Sequence, residues 1–88
     1  MPRLVFTRRF YKKLRSFFKK HPNLVAAVRE KFLILAKNPK DARLKVHKLT
    51  GKLAGLFAAS IIHEYRVVFY LENDKIIFLA IGTHDEVY

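Results

Sequence analysis

Two apolar runs in the last third of the chain, Glu64-Tyr65-Arg66-Val67-Val68-Phe69-Tyr70-Leu71 and Lys75-Ile76-Ile77-Phe78-Leu79-Ala80-Ile81, are separated only by Glu72-Asn73-Asp74. β-branched and aromatic residues suit a pleated surface, and with an Asn-Asp pair between them they predict a β-hairpin. With Asn73 and Asp74 as a two-residue loop, Glu72 faces Lys75 and the ladder count puts Arg66 opposite Ile81. Side chains alternate between faces, so Arg66, Val68 and Tyr70 share one side and Tyr65, Val67, Phe69 and Leu71 the other. The second set is wholly apolar or aromatic and belongs against a core. Arg66, the only charge inside its strand, is left on the open face. Strict alternation would send His84 to the wrong side. Gly82 permits a bulge or a left-handed turn, so irregular backbone is predicted at Gly82-Thr83, with His84 turned towards Arg66.

An 88-residue chain makes one domain, spanning 1–88, and 51% hydrophobic content supports a packed core. There is no cysteine, which excludes disulfides and thiolate metal sites. No signal-peptide pattern opens the chain, and its apolar runs fall short of a membrane span. A soluble cytoplasmic protein without a membrane role is the expectation. The charge is uneven. Residues 1–52 hold sixteen of the eighteen Lys and Arg against Glu30 and Asp41, a balance of +14. Residues 53–88 hold Arg66 and Lys75 against five acids, a balance of −3. Such a basic half attracts polyanions, nucleic acid first, although an acidic protein partner would satisfy the same field.

Arg3-Leu4-Val5-Phe6 predicts a short first strand, and Thr7 the N-cap of a helix from about Arg8 to Lys20. Phe10, Leu14, Phe17 and Phe18, with Tyr11 beside them, form its apolar stripe. His21-Pro22-Asn23 stops it, and a second helix follows from about Leu24 to Lys37, with Val25, Val28, Phe32 and Leu35 inward. So short a connection predicts an antiparallel helical hairpin. Residues 42–53 predict a long basic loop that packs Leu44, Val46 and Leu49 on the sheet edge. Gly55 opens a strand through Ile62, and His63-Glu64 turns the chain into the central strand. The order β-α-α-β-β-β makes an α+β domain, an antiparallel sheet with the helical hairpin on one face.

Asp85 and Glu86 have no further acid at ligand spacing, so no metal or other cofactor is expected. Neither Ser16 nor Ser60 sits in a nucleophile elbow. Arg66 remains open to a structural pairing with Glu64 or Asp85. His21 and His63 read as structural or solvent-facing.

His47-Lys48-Leu49-Thr50-Gly51 with Gly55-Leu56-Phe57, then Glu64 to Phe69, then Ile81-Gly82-Thr83-His84-Asp85-Glu86-Val87-Tyr88 carry a resemblance to the RelE/ParE superfamily of type II toxin–antitoxin toxins. The nearest branch is that of RelE- and YafQ-like mRNA interferases. The resemblance is strong from about Leu44 onward and continues as pattern through the helices. It implies a RelE-like fold and metal-independent cleavage of mRNA in the ribosomal A site, where a 2′-hydroxyl attacks the adjacent phosphate. It further implies that Arg66 braces the phosphate, that His84 and His47 correspond to the tail and upstream histidines of the YafQ-like branch, and that Tyr88 is the terminal aromatic near the substrate. Those types suit the chemistry: a guanidinium fork fits phosphate oxygens, imidazole transfers protons near neutral pH, and tyrosine stacks on bases. Arg43, Lys45, Lys48 and Lys52 would grip RNA phosphates without base specificity. Many relatives carry a basic residue on the strand before the central one, but Leu56 to Ile62 has no charge. Either His47, His63 or Lys52 supplies that charge, or the site is weaker than theirs. The resemblance also implies a cognate antitoxin and a hetero-oligomer with it, alongside mRNA and the ribosome. A ParE-like toxin that binds DNA gyrase without cleaving is the alternative, and a basic RNA-binding module without activity is a third.

Overall fold

The computed structural model describes residues 2–88. Its elements are β1 (Arg3–Phe6), α1 (Arg8–Lys20), α2 (Val25–Lys37), β2 (His47–Lys48), β3 (Phe57–Ile62), β4 (Tyr65–Glu72), β5 (Lys75–Thr83) and α3 (His84–Val87). The strands form one sheet in the order β1-β5-β4-β3-β2. The sheet is only mostly antiparallel: β1 lies parallel to β5, with Arg3 beside Lys75 and Phe6 beside Phe78. Hydrophobic alternation records which face a residue takes but not the direction of the neighbouring strand.

Thr7 starts α1 as anticipated. Its hydroxyl accepts the Phe10 N–H at 3.2 Å and donates to the Phe78 carbonyl at 3.3 Å, tying the helix start to β5. Phe10, Leu14 and Phe17 turn inward, whereas Tyr11 is 52% exposed, with the Arg15 guanidinium 6.0 Å from its ring centre. A single 3-10 turn, Pro22–Leu24, precedes α2, which buries Val28, Phe32 and Leu35. Both helices share one core with Ala59, Ile61, Val67, Phe69, Ile76 and Phe78, so they cover the same face of the sheet. Phe78 is its aromatic hub. Its ring centre lies 5.2 Å from those of Phe6, Phe10 and Phe32 and 6.0 Å from that of Phe69.

The β4–β5 hairpin turns at Asn73, in left-handed conformation, with Glu72 opposite Lys75. Further along, Phe69 pairs with Phe78 but Val68 with Ala80, so Leu79 is an extra residue. This bulge shifts the partner of Arg66 from the anticipated Ile81 to Gly82. The parity break therefore falls at Leu79 and not at Gly82-Thr83, which stays in β5 with Thr83 opposite Tyr65. The cause is packing. Phe78 and Ile81 both belong to or pack against the helix-side core, and three positions apart in a regular strand they would face opposite ways.

Two further boundaries differ from the sequence reading. β3 begins at Phe57 because Gly55 (φ 93°) is in a turn, and the segment 42–53 is not a simple loop. It holds β2, which pairs with β3 through His47–Ala58 and Lys48–Phe57, between two 3-10 turns. Among the described residues no helix is long and apolar enough to cross a membrane.

The double role of Thr7 yields a prediction. Thr7→Ala should lower unfolding stability by about 1–2 kcal/mol, read as a lower urea midpoint at unchanged slope. An unchanged midpoint would contradict the capping role.

Candidate functional site

Cross-strand partners present their side chains on the same face, and the register therefore maps the floor of the open side. One row is Ser60–Arg66–Gly82, and the next is Ala58–Val68–Ala80, with His47 beside Ala58. Ala58, Ser60, Ala80 and Gly82 leave a shallow floor in which the Arg66 side chain has no bulky cross-strand neighbour. Arg66 is half-buried, and among the described residues it forms no salt bridge. The Glu64 and Asp85 pairings are not made. Its Nε is enclosed and without a hydrogen-bond partner, a costly state for a buried donor and one that marks functional sites.

An open cleft of about 720 Å³ runs from Arg66 and Ser60 past Ile61, Ile62 and His63 to Lys31 and Glu30 of α2, and to Arg43, Lys45 and His47. β3 contributes no charge to it. Its cations are Arg66 itself, Lys31 of α2, and Arg43 and Lys45 from the segment before β2. His47 and His63 line the cleft, and Lys52 does not.

The segment is shaped by two local devices. Asp41 caps its 3-10 turn by accepting the Arg43 N–H at 2.9 Å, and it holds the Arg43 guanidinium in a two-pronged pair, at 3.0 Å and 2.8 Å. Arg43 thus reaches the cleft with much of its charge already answered. Those hydrogen bonds hold the Asp41 carboxyl at about 2, below its ordinary 3.8. Lys45 then takes a left-handed conformation (φ 49°), and its carbonyl lies 3.1 Å from His47 Nδ1. A carbonyl only accepts, so Nδ1 carries the proton, and in the neutral ring Nε2 is the bare acceptor.

The terminal turn meets this imidazole from the other side. The Tyr88 hydroxyl lies 3.4 Å from His47 Nε2, and the His84 ring packs edge-on against Tyr88 with centres 4.3 Å apart. His84 Nδ1 is also 3.4 Å from an Asp85 carboxylate oxygen. The structure joins His47, Tyr88 and His84 in a chain and sets His47 in the cleft of Arg66. The close contacts of His84 are with Tyr88 and Asp85, not with Arg66. Lys48 pairs with Phe57 and so lies on the opposite face from His47, and Lys52 sits exposed on a 3-10 turn. Neither joins the cleft. His21 has a structural place, packed at a tilt against the Phe17 and Tyr65 rings with its Nε2 3.4 Å from the Tyr65 hydroxyl.

Sequence reasoning missed one pair. Thr83 and Glu86 form a capping box at the start of α3, and the Glu86 carboxylate accepts the Thr83 N–H at 2.7 Å. That bond, foremost, holds the Glu86 carboxyl below its ordinary range. The Thr-x-x-Glu spacing was the available signal.

The sequence matches, over residues 2–88, the family described as bacterial toxin of type II toxin-antitoxin system, YafQ. Similar solved structures include a copper-bound mutant toxin from Helicobacter pylori, 25% identical, with 100% of both chains covered and a TM-score of 0.82. YafQ from E. coli strain BL21(DE3) is 18% identical, with 100% of this chain and 99% of that one covered and a TM-score of 0.80. YafQ in the E. coli DinJ–YafQ complex is 21% identical, with the same coverage and a TM-score of 0.72. No curated protein sequence matches this one significantly.

The Asp41 pair has a defined pH signature. Its carboxyl is depressed from 3.8 to about 2, so its stabilisation is complete above the ordinary value and is lost as pH falls towards 2. In Asp41→Asn the acid unfolding curve should flatten within that window and keep its shape above it. An identical acid limb in the variant would rule the pair out as a contributor.

Proposed function

The chain belongs to the YafQ family of bacterial type II toxin–antitoxin toxins, and on that footing we propose that it is a metal-independent endoribonuclease that cuts mRNA on the ribosome. The observation that carries the reading is a guanidinium that makes no salt bridge among the described residues, sharing a cleft with an imidazole whose proton-accepting nitrogen is set by its own backbone. The site can supply both halves of a phosphoryl transfer to an internal hydroxyl. His47 Nε2 takes the proton of a 2′-hydroxyl, which then bonds to the adjacent phosphorus. The bond from phosphorus to the 5′-oxygen breaks, and that oxygen takes a proton from the His84 imidazolium. The products are a 2′,3′-cyclic phosphate and a free 5′-hydroxyl.

Arg66 answers the charge that grows on the phosphoryl oxygens. In the free protein the Tyr88 hydroxyl holds the position beside His47 that the 2′-hydroxyl would take, so substrate displaces it and leaves the ring to stack on a base. Lys45 and Lys31, with the partly neutralised Arg43, would guide the RNA backbone into the cleft. Lys48 and Lys52 lie apart from it and would contact phosphates further along the strand or on the ribosome.

A cell-free translation reaction with the mRNA mapped by primer extension tests the reading. Wild-type protein should give codon-positioned cuts. Arg66→Ala should slow them by about 10²–10³-fold, and His47→Ala or His84→Ala by about 10²–10⁴-fold. Intact mRNA with wild-type protein would refute the nuclease; if DNA supercoiling were impaired at the same time, the gyrase reading would replace it.

A cognate antitoxin is proposed as the protein partner, in line with the DinJ–YafQ complex of the relative. The net charge of +11 favours an acidic one. The complex should weaken steeply between low and moderate salt when measured by calorimetry. An affinity indifferent to salt would mean a mainly apolar interface.

A further inference from the structure

The terminal turn is too short to hold itself. α3 has four residues, and isolated helices of that length do not persist in water. Yet its first residue and the residue that follows the helix carry the rings that meet His47, Tyr88 directly and His84 through Tyr88. Something must tie the turn to the end of β5 and fix its direction. At its base a short contact of 2.7 Å runs from the Thr83 N–H to Glu86 Oε1. Gly82 adds a second, steric constraint. A Cβ at that position would lie 2.9 Å from Glu86 Oε1 and 3.0 Å from Glu86 Cβ, so the carboxylate sits in space that only glycine leaves open. Gly82 is also the cross-strand partner of Arg66. The residue opposite the guanidinium is thus the one that makes room for the carboxylate fastening the tail. Lys13, Lys20 and His21 line the cleft in which Glu86 lies, on the side of α1.

We propose that Glu86 is a positioning residue of this site: its carboxylate, seated over Gly82 and bound to the Thr83 N–H, aims the terminal turn so that Tyr88 meets His47 and His84 packs against Tyr88. The proposal rests on the nuclease reading for its effect on rate, but not for its effect on geometry. Glu86 touches no substrate. It acts through the rings of His84 and Tyr88, and its loss should change the rate of cutting more than the affinity for RNA. The amide of a glutamine keeps an oxygen that accepts the same N–H, so Glu86→Gln should rescue what Glu86→Ala loses.

Two measurements test this on the full chain. In the translation assay, Glu86→Ala should slow cleavage by about 10–100-fold, the scale set by misplacing a reacting group by about 1 Å. The half-saturating concentration of programmed ribosomes should stay within about twofold, and Glu86→Gln should recover most of the rate. In a His84→Ala, Tyr88→Ala background the same Glu86→Ala change should add almost nothing, because the groups it aims are gone. Gly82→Ala should resemble Glu86→Ala. Independently, NMR should find cross-relaxation between the Tyr88 ring and the His47 and His84 imidazoles in the wild type and in Glu86→Gln, but not in Glu86→Ala. Cross-relaxation and rate that both survive Glu86→Ala would overturn the proposal, as would a full extra loss in the doubly substituted background. A wild type that shows Glu86-dependent contacts yet leaves mRNA intact would sink the nuclease reading and leave the positioning role standing.

Discussion

The extra residue at Leu79 is the constraint on which the rest of this structure depends. Phe78 lies at the meeting point of four other rings, from β1, α1, α2 and β4, and cannot leave the core without opening it. Ile81, three positions later, also packs against that core. A regular strand cannot satisfy both. The bulge can, and every residue after it changes sides relative to an unbroken ladder. Ile81 goes inward, Gly82 comes out beside Arg66, and Thr83 ends opposite Tyr65 in position to receive the tail. A packing demand in the core thereby sets the spacing of groups on the open face.

The open face shows a division of labour between floor and rim. Ala58, Ser60, Ala80 and Gly82 give the floor little height, and among the described residues Arg66 makes no salt bridge there. The positive rim comes from other parts of the chain: Arg43 and Lys45, in the stretch that the two-residue strand β2 holds against β3, and Lys31 of α2. The cost appears at Arg66 Nε, a donor enclosed without an acceptor. A buried donor left without a partner lowers stability.

Backbone conformation, more than side-chain identity, selects the proton-accepting nitrogen of His47. The left-handed Lys45 presents its carbonyl to Nδ1, and the remaining nitrogen faces the Tyr88 hydroxyl. Likewise the tail is aimed from its base, by a backbone N–H, a carboxylate and a glycine. Neither arrangement involves an unusual residue. Each comes from ordinary groups placed by turns that are themselves held by short-range hydrogen bonds.

Much of this was legible in the chain itself. Thr7 before the Phe10, Leu14, Phe17 stripe specified α1, and Asn73-Asp74 between two β-rich runs specified the hairpin, because capping, turn chemistry and periodicity act over a few residues. The side taken by Val67 and Phe69, and hence the open side for Arg66, followed from simple alternation. What only the tertiary structure decided depends on distant partners. The parallel pairing of β1 with β5, the extra position at Leu79, the joining of β2 to β3 and the meeting of Tyr88 with His47 each set residues far apart in sequence against one another. A strand's pattern records which face it buries, whereas its neighbour, direction and register are settled by the shape of the core that the whole chain makes together.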